Sequence, residues 1–253
     1  MILLIRGLYT SATGMLSELT RNDVTANNLA NVNTAGFKKD TATFLAFPEM
    51  LLQKINYNAN NSSGPKVGYL GTGSIVDEVV TIHDPGQLKQ TDNLFDMALE
   101  GNNFFTIETP GGNRYTKNGS FQIDGNGYLV TSEGNNVLGQ NGRIQILGKN
   151  LSVNQNGQVS VDGNYVDTLR LTSFANLRTD LKKIGASLFT GNAPQPQTPG
   201  RVMQGFLESS NVNAVNEMVD LITIMRAYEA NQKAVSAHDS TLDKAVNQVG
   251  SLR

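Results

Sequence analysis

The sequence predicts a mainly β protein with long terminal helices. Both termini form a discontinuous α-helical coiled-coil domain, and an all-β domain of short antiparallel strands is inserted between them. Three observations carry this prediction. Each end of the chain has an apolar seam at alternating steps of three and four. The middle changes to a period of two. Tight-turn dipeptides punctuate that middle at short intervals.

The C-terminal seam runs through Met218, Leu221, Met225, Tyr228, Gln232, Val235, Asp239, Leu242, Val246 and Val249. No proline or glycine interrupts residues 215–249, so one helix is expected, roughly 50 Å long at 1.5 Å per residue. The N-terminal seam follows the same spacing through Ile5, Leu8, Ala12, Met15, Leu19, Asn22, Ala26 and Leu29. Each stripe needs cover, and each supplies cover for the other. Two readings stand side by side: a coiled-coil domain built from the two ends, or a two-helix packing inside one ordinary domain. Asn22, Gln232 and Asp239 are the polar positions of the seams. They are either tolerated at a wet edge or fix register, as single polar seam residues do in coiled coils.

The first helix is expected to end near Asn31, because Asn31-Val32-Asn33-Thr34-Ala35-Gly36 is a stop-and-turn stretch. Pro48 suggests a short helix over residues 49–55. Residues 56–73 are rich in Asn, Ser and Gly and read as a connector. From residue 74 to about 174, short apolar runs alternate with Asn118-Gly119, Asp124-Gly125, Asn126-Gly127, Asn141-Gly142, Asn156-Gly157 and Asp162-Gly163. Such pairs tolerate the positive φ of hairpin turns. Strands are expected at 114–116, 120–123, 128–131, 143–147, 158–161 and 165–174. Pro194, Pro196 and Pro199 mark a return connector. The expected domains are 1–45 with 208–253 as the terminal coiled coil, 46–73 as linker, 74–191 as the β-rich domain and 192–207 as return linker.

Composition bounds the function. Net charge is −2 over 253 residues, so nothing proposes a nucleic acid or an anionic membrane as partner. Without cysteine there is no disulfide framework and no thiolate chemistry. The apolar start at residues 1–5 is too short for a secretory signal core or a membrane span.

The search for chemistry is mostly negative, and no catalytic, cofactor or metal residue is assigned. His83 precedes the turn-like Asp84-Pro85-Gly86, and His238 lies on the C-terminal helix outside the main seam. Neither has further ligands at metal spacing. Gly71-Thr72-Gly73 fails as a dinucleotide fingerprint, since Val76 stands at the third glycine position. Asp124-Gly125-Asn126-Gly127-Tyr128 resembles the start of a calcium loop but lacks the downstream glutamate, and reads as a hairpin turn. Asp96 and Glu100 are the kind of carboxylate pair any chain of this size offers. The polar residues that do stand in motifs are mainly amides, which neither titrate nor attack but hydrogen-bond helix ends and neighbouring chains.

One set of motifs is long and specific. Ala26-Asn27-Asn28-Leu29-Ala30-Asn31-Val32-Asn33-Thr34-Ala35-Gly36-Phe37-Lys38 resembles the N-terminal signature of bacterial flagellar rod and hook proteins. Gly86-Gln87-Leu88, followed by Thr91, Asp96 and Ala98, then Gly101, Phe104 and Phe105, is similar to the family's central segment. Arg114-Tyr115-Thr116-Lys117-Asn118-Gly119-Ser120-Phe121 matches its Tyr-Thr-Arg-x-Gly-x-Phe motif, with Lys117 in place of the usual arginine. The C-terminal motif is matched by residues 204–213, by Glu217-Met218-Val219, by Arg226-Ala227-Tyr228-Glu229-Ala230-Asn231 and by Asp239. The likeness covers nearly the whole chain. Its motif residues here are Asn27, Asn28, Asn31, Asn33, Gly36, Phe37, Asn211, Val212, Glu217, Arg226, Tyr228 and Glu229.

The resemblance implies a structural subunit of the flagellar basal body, outside the cytoplasm, exported by the flagellar type III apparatus. It implies that the terminal helices form the inner layer of a hollow shaft, and that the partners are further copies and other rod and hook proteins. No cofactor is implied. Length favours a rod subunit over a hook subunit, and residues 43–55 resemble the proximal-rod type more than the distal. Two rivals stay open: a cell-wall glycan hydrolase, which needs a carboxylate pair in a cleft, and a stand-alone β binding domain dimerised by its helices.

Overall fold

The computed structural model describes residues 2–53, 66–148, 150–192, 194–196 and 201–249. It is mainly β, with a long helix at each end, as the sequence predicts. Helix α1 spans Ile2–Ala30, a short α2 spans Leu177–Asp180, and α3 spans Ala214–Lys244. The last turn of the C-terminal helix opens to π geometry over Ala245–Val249. Glu217 in the first turn of α3 and Lys244 in the last both suit the helix dipole. The chain divides into two compact units: residues 1–27, 40–80 and 215–253, and residues 28–39 with 81–214.

The first unit holds most of α1, all but the first residue of α3, and two strand pairs. Asp40–Ala46 pairs with Ser74–Thr81, and Met50–Gln53 pairs antiparallel with Lys66–Leu70. The buried positions of α1 here are small and polar. Thr13, Ser17 and Thr25 are buried, while Tyr9, Leu16 and Leu19 are exposed. The Ser17 hydroxyl lies 3.1 Å from that of Ser74, and Thr10 donates to the Thr72 carbonyl at 3.4 Å. A narrow Ser/Thr face lets the 72–74 backbone approach the helix closely.

The second unit is built on a nine-stranded antiparallel sheet centred on Phe104–Thr109 and Gly112–Thr116. Three strands, Leu151–Val153, Gln158–Val161 and Asn164–Thr168, form a separate small sheet. The main core gathers Met97, Phe105, Ile107, Leu129, Val137 and Ile144. Each such side chain contributes about 1.5–3 kcal/mol by leaving water. A second cluster joins Phe104, Tyr115, Phe174, Leu181 and Phe189. Of the six turn dipeptides, Asn126-Gly127, Asn141-Gly142 and Asn156-Gly157 take positive φ at the glycine alone, Asn118-Gly119 and Asp124-Gly125 take it at neither residue, and one pair takes it at both. Asp162 and Gly163 both take positive φ, 50° and 84°, closing the hairpin after Gln158–Val161.

Several expectations need correction. Residues 50–53 are strand rather than helix, and residues 54 and 55 lie outside the described residues. A short apolar run is ambiguous by period, and so short a helix cannot recover its nucleation cost when a partner strand is at hand. Residues 143–147 form isolated bridges at Arg143 and Gln145 instead of a strand. Ile144 and Ile146 both turn into the core, and their backbones exchange bonds with Leu129, Val137 and Gly127. The stretches whose composition reads as linker carry strands: Lys66–Leu70 in the first, and Gln195–Pro196, Val202–Gln204 and Phe206–Glu208 in the return. Residues 56–65 of the first connector lie outside the described residues. His83, beside the turn-like Asp84-Pro85-Gly86, is half-buried, its ring 5.4 Å from that of Phe189 and 6.2 Å from that of Phe104.

Candidate functional site

Motif residues from both ends, among them Asn31, Gly36, Phe37, Asn211 and Val212, meet within the second unit, where the chain leaves α1 and where it returns toward α3. The helix ends in a turn: Thr34 donates its backbone N–H to the Asn31 carbonyl, and its hydroxyl to the Asn31 side chain at 3.2 Å. Gly36 then takes φ 65°, the left-handed region. A Cβ there would strike the Lys117 carbonyl carbon, so both backbone angle and space demand glycine. Its N–H donates to the Glu208 carbonyl at 2.7 Å. The turn drives Phe37 and Lys38 inward, 0 % and 1 % exposed. Lys183 caps this pair, its Nζ 3.8 Å above the Phe37 ring and 2.7 Å from the Lys38 carbonyl.

Lys38 meets Glu208, 170 residues further on, at 2.6 Å inside the protein. Lys38 Nζ also donates to the Asp84 carbonyl at 2.7 Å, and the Gly86 N–H donates to Glu208 Oε1 at 2.9 Å. Asn211 ties the same strands together. Its Oδ1 accepts from the Lys39 N–H at 2.8 Å, and its Nδ2 donates to the carbonyls of Ile82 and Asp84. An amide is the one side chain type that donates and accepts in this way without titrating. Val212 is buried beside it in sequence.

Lys117, which replaces the family's usual arginine, is buried close by. It donates to the Gly101 carbonyl at 2.5 Å and lies 5.3 Å from the centre of the Phe104 ring. Burial pushes its pKa down to about 8, with the Glu208 charge opposing that shift and Lys38 adding to it. The arrangement is a charged knot with no exposed nucleophile. Beside it opens a cleft of about 510 Å³ lined by Lys39, Asp84, Gly86, Ser209 and Asn211 among others.

Other motif residues lie elsewhere. Asn28 and Glu217 are buried, Asn31 is half-buried, and Asn27 and Asn33 are exposed. On α3, Tyr228 is half-buried while Arg226 and Glu229 face solvent. Of the seam residues, Leu8, Met15, Leu29, Leu221, Tyr228, Val235 and Leu242 are half-buried. Leu19, Met218, Met225 and Val246 are exposed. The side chains of Ile5 and Val249 lie outside the described residues. Among the described residues no cluster of histidine and carboxylates suits a metal, and no helix is long and apolar enough to cross a membrane. Asp124 accepts from the backbones of Asn126 and Tyr128 at 2.9 and 2.8 Å, which is turn geometry.

Sequence reasoning quoted Lys38, Lys117 and Glu208 inside motifs without assigning them a role. The available signal was that Lys38 and Glu208, of opposite sign, are each the single charged residue of its motif.

Three family models match the chain. Flagella basal body rod protein covers residues 8–38, the flagellar hook protein FlgE/F/G D1 domain covers 98–161, and the flagellar basal body rod FlgEFG protein C-terminal model covers 203–249. Among relatives, the flagellar basal-body rod protein FlgG of Agrobacterium fabrum is 36% identical, over 93% of this chain and 96% of its own. FlgG of Borreliella burgdorferi is 35% identical over 96% and 98%, and FlgG of Bacillus subtilis 33% over 96% and 99%. One terminal model ends on Lys38 and the other contains Glu208, so the buried pair joins the two matched ends. The chain belongs to the family of flagellar basal-body rod proteins: it is a structural subunit of the rod, resident in the flagellar basal body.

Proposed function

We propose that this subunit builds the rod by polymerising through its terminal helices. α1 and α3 form a coiled-coil domain that supplies the inner layer of a hollow shaft joining motor to hook. The observation that supports this reading is the apolar face left open on α3. Val215, Met218, Val219, Ile222 and Met225 recur at helical spacing and are 52–69 % exposed. A run of large apolar side chains in water needs cover, and in a head-to-tail polymer the next copy or a neighbouring rod or hook protein supplies it. The chain reaches its extracytoplasmic site through the flagellar export apparatus, and its work is assembly rather than catalysis.

The test is Ile222→Asp and Met225→Asp, each expressed in place of the parent. Both positions are exposed, so the isolated chain should fold as before, while rods fail to form and cells fail to swim. Normal swimming in both variants would remove this face from the assembly.

A further inference from the structure

The polar seam residues Asn22, Gln232 and Asp239 are either tolerated at a wet edge or set register, and Asn22 is half-buried. Gln232 and Asp239 are exposed. Their neighbours one step earlier, Asn231 and His238, are half-buried and lie against glycines of α1. A Cβ added at Gly7 would lie 2.5 Å from His238 Nε2, and one added at Gly14 would lie 2.9 Å from Asn231 Nδ2. Seven residues forward on α1 correspond to seven residues back on α3. The two helices therefore run antiparallel in this unit, with two bare backbone sites one heptad apart that receive two polar side chains one heptad apart.

We propose that Gly7 and Gly14 are register-setting holes, filled by His238 and Asn231, that favour one alignment of the terminal helices. The physical reason is steric. A slip of one turn in one direction brings Thr10 or Ser11 to His238 and Ser17 or Glu18 to Asn231. A slip in the other direction brings Thr10 or Ser11 to Asn231. Each of these residues carries a Cβ where the native alignment has none. A slip of a full heptad keeps one hole, Gly14 beneath His238, but sets Arg21 against Asn231. Close packing forfeits contact energy on any such misfit, and a polar knob seated in a specific hole is a known device for fixing helix alignment.

Alignment has a consequence, which rests on the assembly reading above. The open stripe of α3, from Val215 to Met225, and the exposed Tyr9, Leu16 and Leu19 of α1 belong to one unit. Their axial offset is set by this register, so a neighbour that covers both must find them at one spacing.

The chain has no cysteine, which makes engineered pairs unambiguous. Gly14→Cys with Asn231→Cys should be joined by a short thiol-to-thiol cross-linker within one chain, in isolated basal bodies. The slipped pair Gly14→Cys with His238→Cys should not be joined. Cross-linking of both pairs, or of Gly14→Cys only to cysteine on a different chain when two single variants are mixed, would overturn the proposal. Gly7→Leu should abolish the native cross-link, and adding His238→Ala should restore it. Loss without rescue would count against His238 as the knob. Assembly is read separately: native intrachain cross-linking together with normal swimming in both Ile222→Asp and Met225→Asp would leave the register standing and remove the open α3 face from the assembly.

Discussion

In the β-rich unit Met97, Phe104, Ile107, Leu129 and Val137 are wholly buried. On α3, Val215, Met218, Val219, Ile222 and Met225 stand half or more exposed, and on α1 the buried positions of the first unit are Thr13, Ser17 and Thr25. The β-rich unit therefore satisfies its apolar side chains by itself, as an independent core does. The helical unit buries Ile224 and a few small polar residues, half-buries Leu8, Met15, Leu221, Val235 and Leu242, and leaves much of its apolar surface open. The contrast separates a unit with a filled core of its own from one whose open α3 face, on the assembly reading proposed above, is covered by a neighbouring chain.

The sharpest way to break this contrast is to truncate one large apolar side chain in each region. Phe105→Ala opens a cavity in a filled core and should cost about 3–5 kcal/mol. Met225→Ala, half exposed, should change the isolated chain's stability by less than about 0.5 kcal/mol, while weakening rod assembly. Urea midpoints of the purified chain measure the first effect, and rod yield measures the second. Equal destabilisation by the two would show that α3 is already covered within the chain.

The charged knot of the β-rich unit supplies the next effect. Glu208→Ala leaves Lys38 buried without its partner and should destabilise by about 3–5 kcal/mol, whereas the double replacement Lys38→Met with Glu208→Leu should recover most of that loss. Urea unfolding of the three proteins is the measurement. A double variant no more stable than Glu208→Ala would mean that the pair's bonds to Gly86 and Asp84 matter more than its charge.

A smaller effect tests whether Lys117 is buried as a charge. Its folded pKa is held near 8, below the ordinary 10.5. Between those values the unfolded chain binds more protons, so stability should rise with pH across that window and show no such slope below it. Tyr115 works the other way. Burial raises its pKa above the ordinary 10.0, so above that point the unfolded chain loses its proton first and stability falls. Lys117→Met should remove the rise seen between about 8 and 10. A rise that persists in the variant would assign the slope to another group.

The smallest expected effect concerns chemistry. Asp96→Asn, Glu100→Gln, Asp124→Asn and Glu133→Gln should each leave assembly and swimming close to the parent. One variant that assembles normally and yet fails to function would reveal a reacting group in a chain read here as structural.

Much of this was written in local sequence. The end of α1 at Ala30 follows from the Asn-rich stop and from Gly36, and the Asp162-Gly163 hairpin follows from two residues that accept positive φ. These are local because backbone conformation and turn chemistry depend on a few adjacent residues. The heptad spacing of α3 is likewise legible, and Leu221, Tyr228, Val235 and Leu242 do lie on its less exposed side. The remaining inward positions could not be read: Ile224, Asn231 and His238 sit one residue away from Met225, Gln232 and Asp239. Periodicity fixes a stripe to within about one residue, because neighbouring positions on a helix are only 100° apart. Which edge of the stripe turns inward depends on where the partner offers a hole, here Gly7 and Gly14. The same limit hid the pairing of Lys38 with Glu208. Charge is visible in a sequence, but the meeting of two residues 170 apart is decided only when the sheet closes around them.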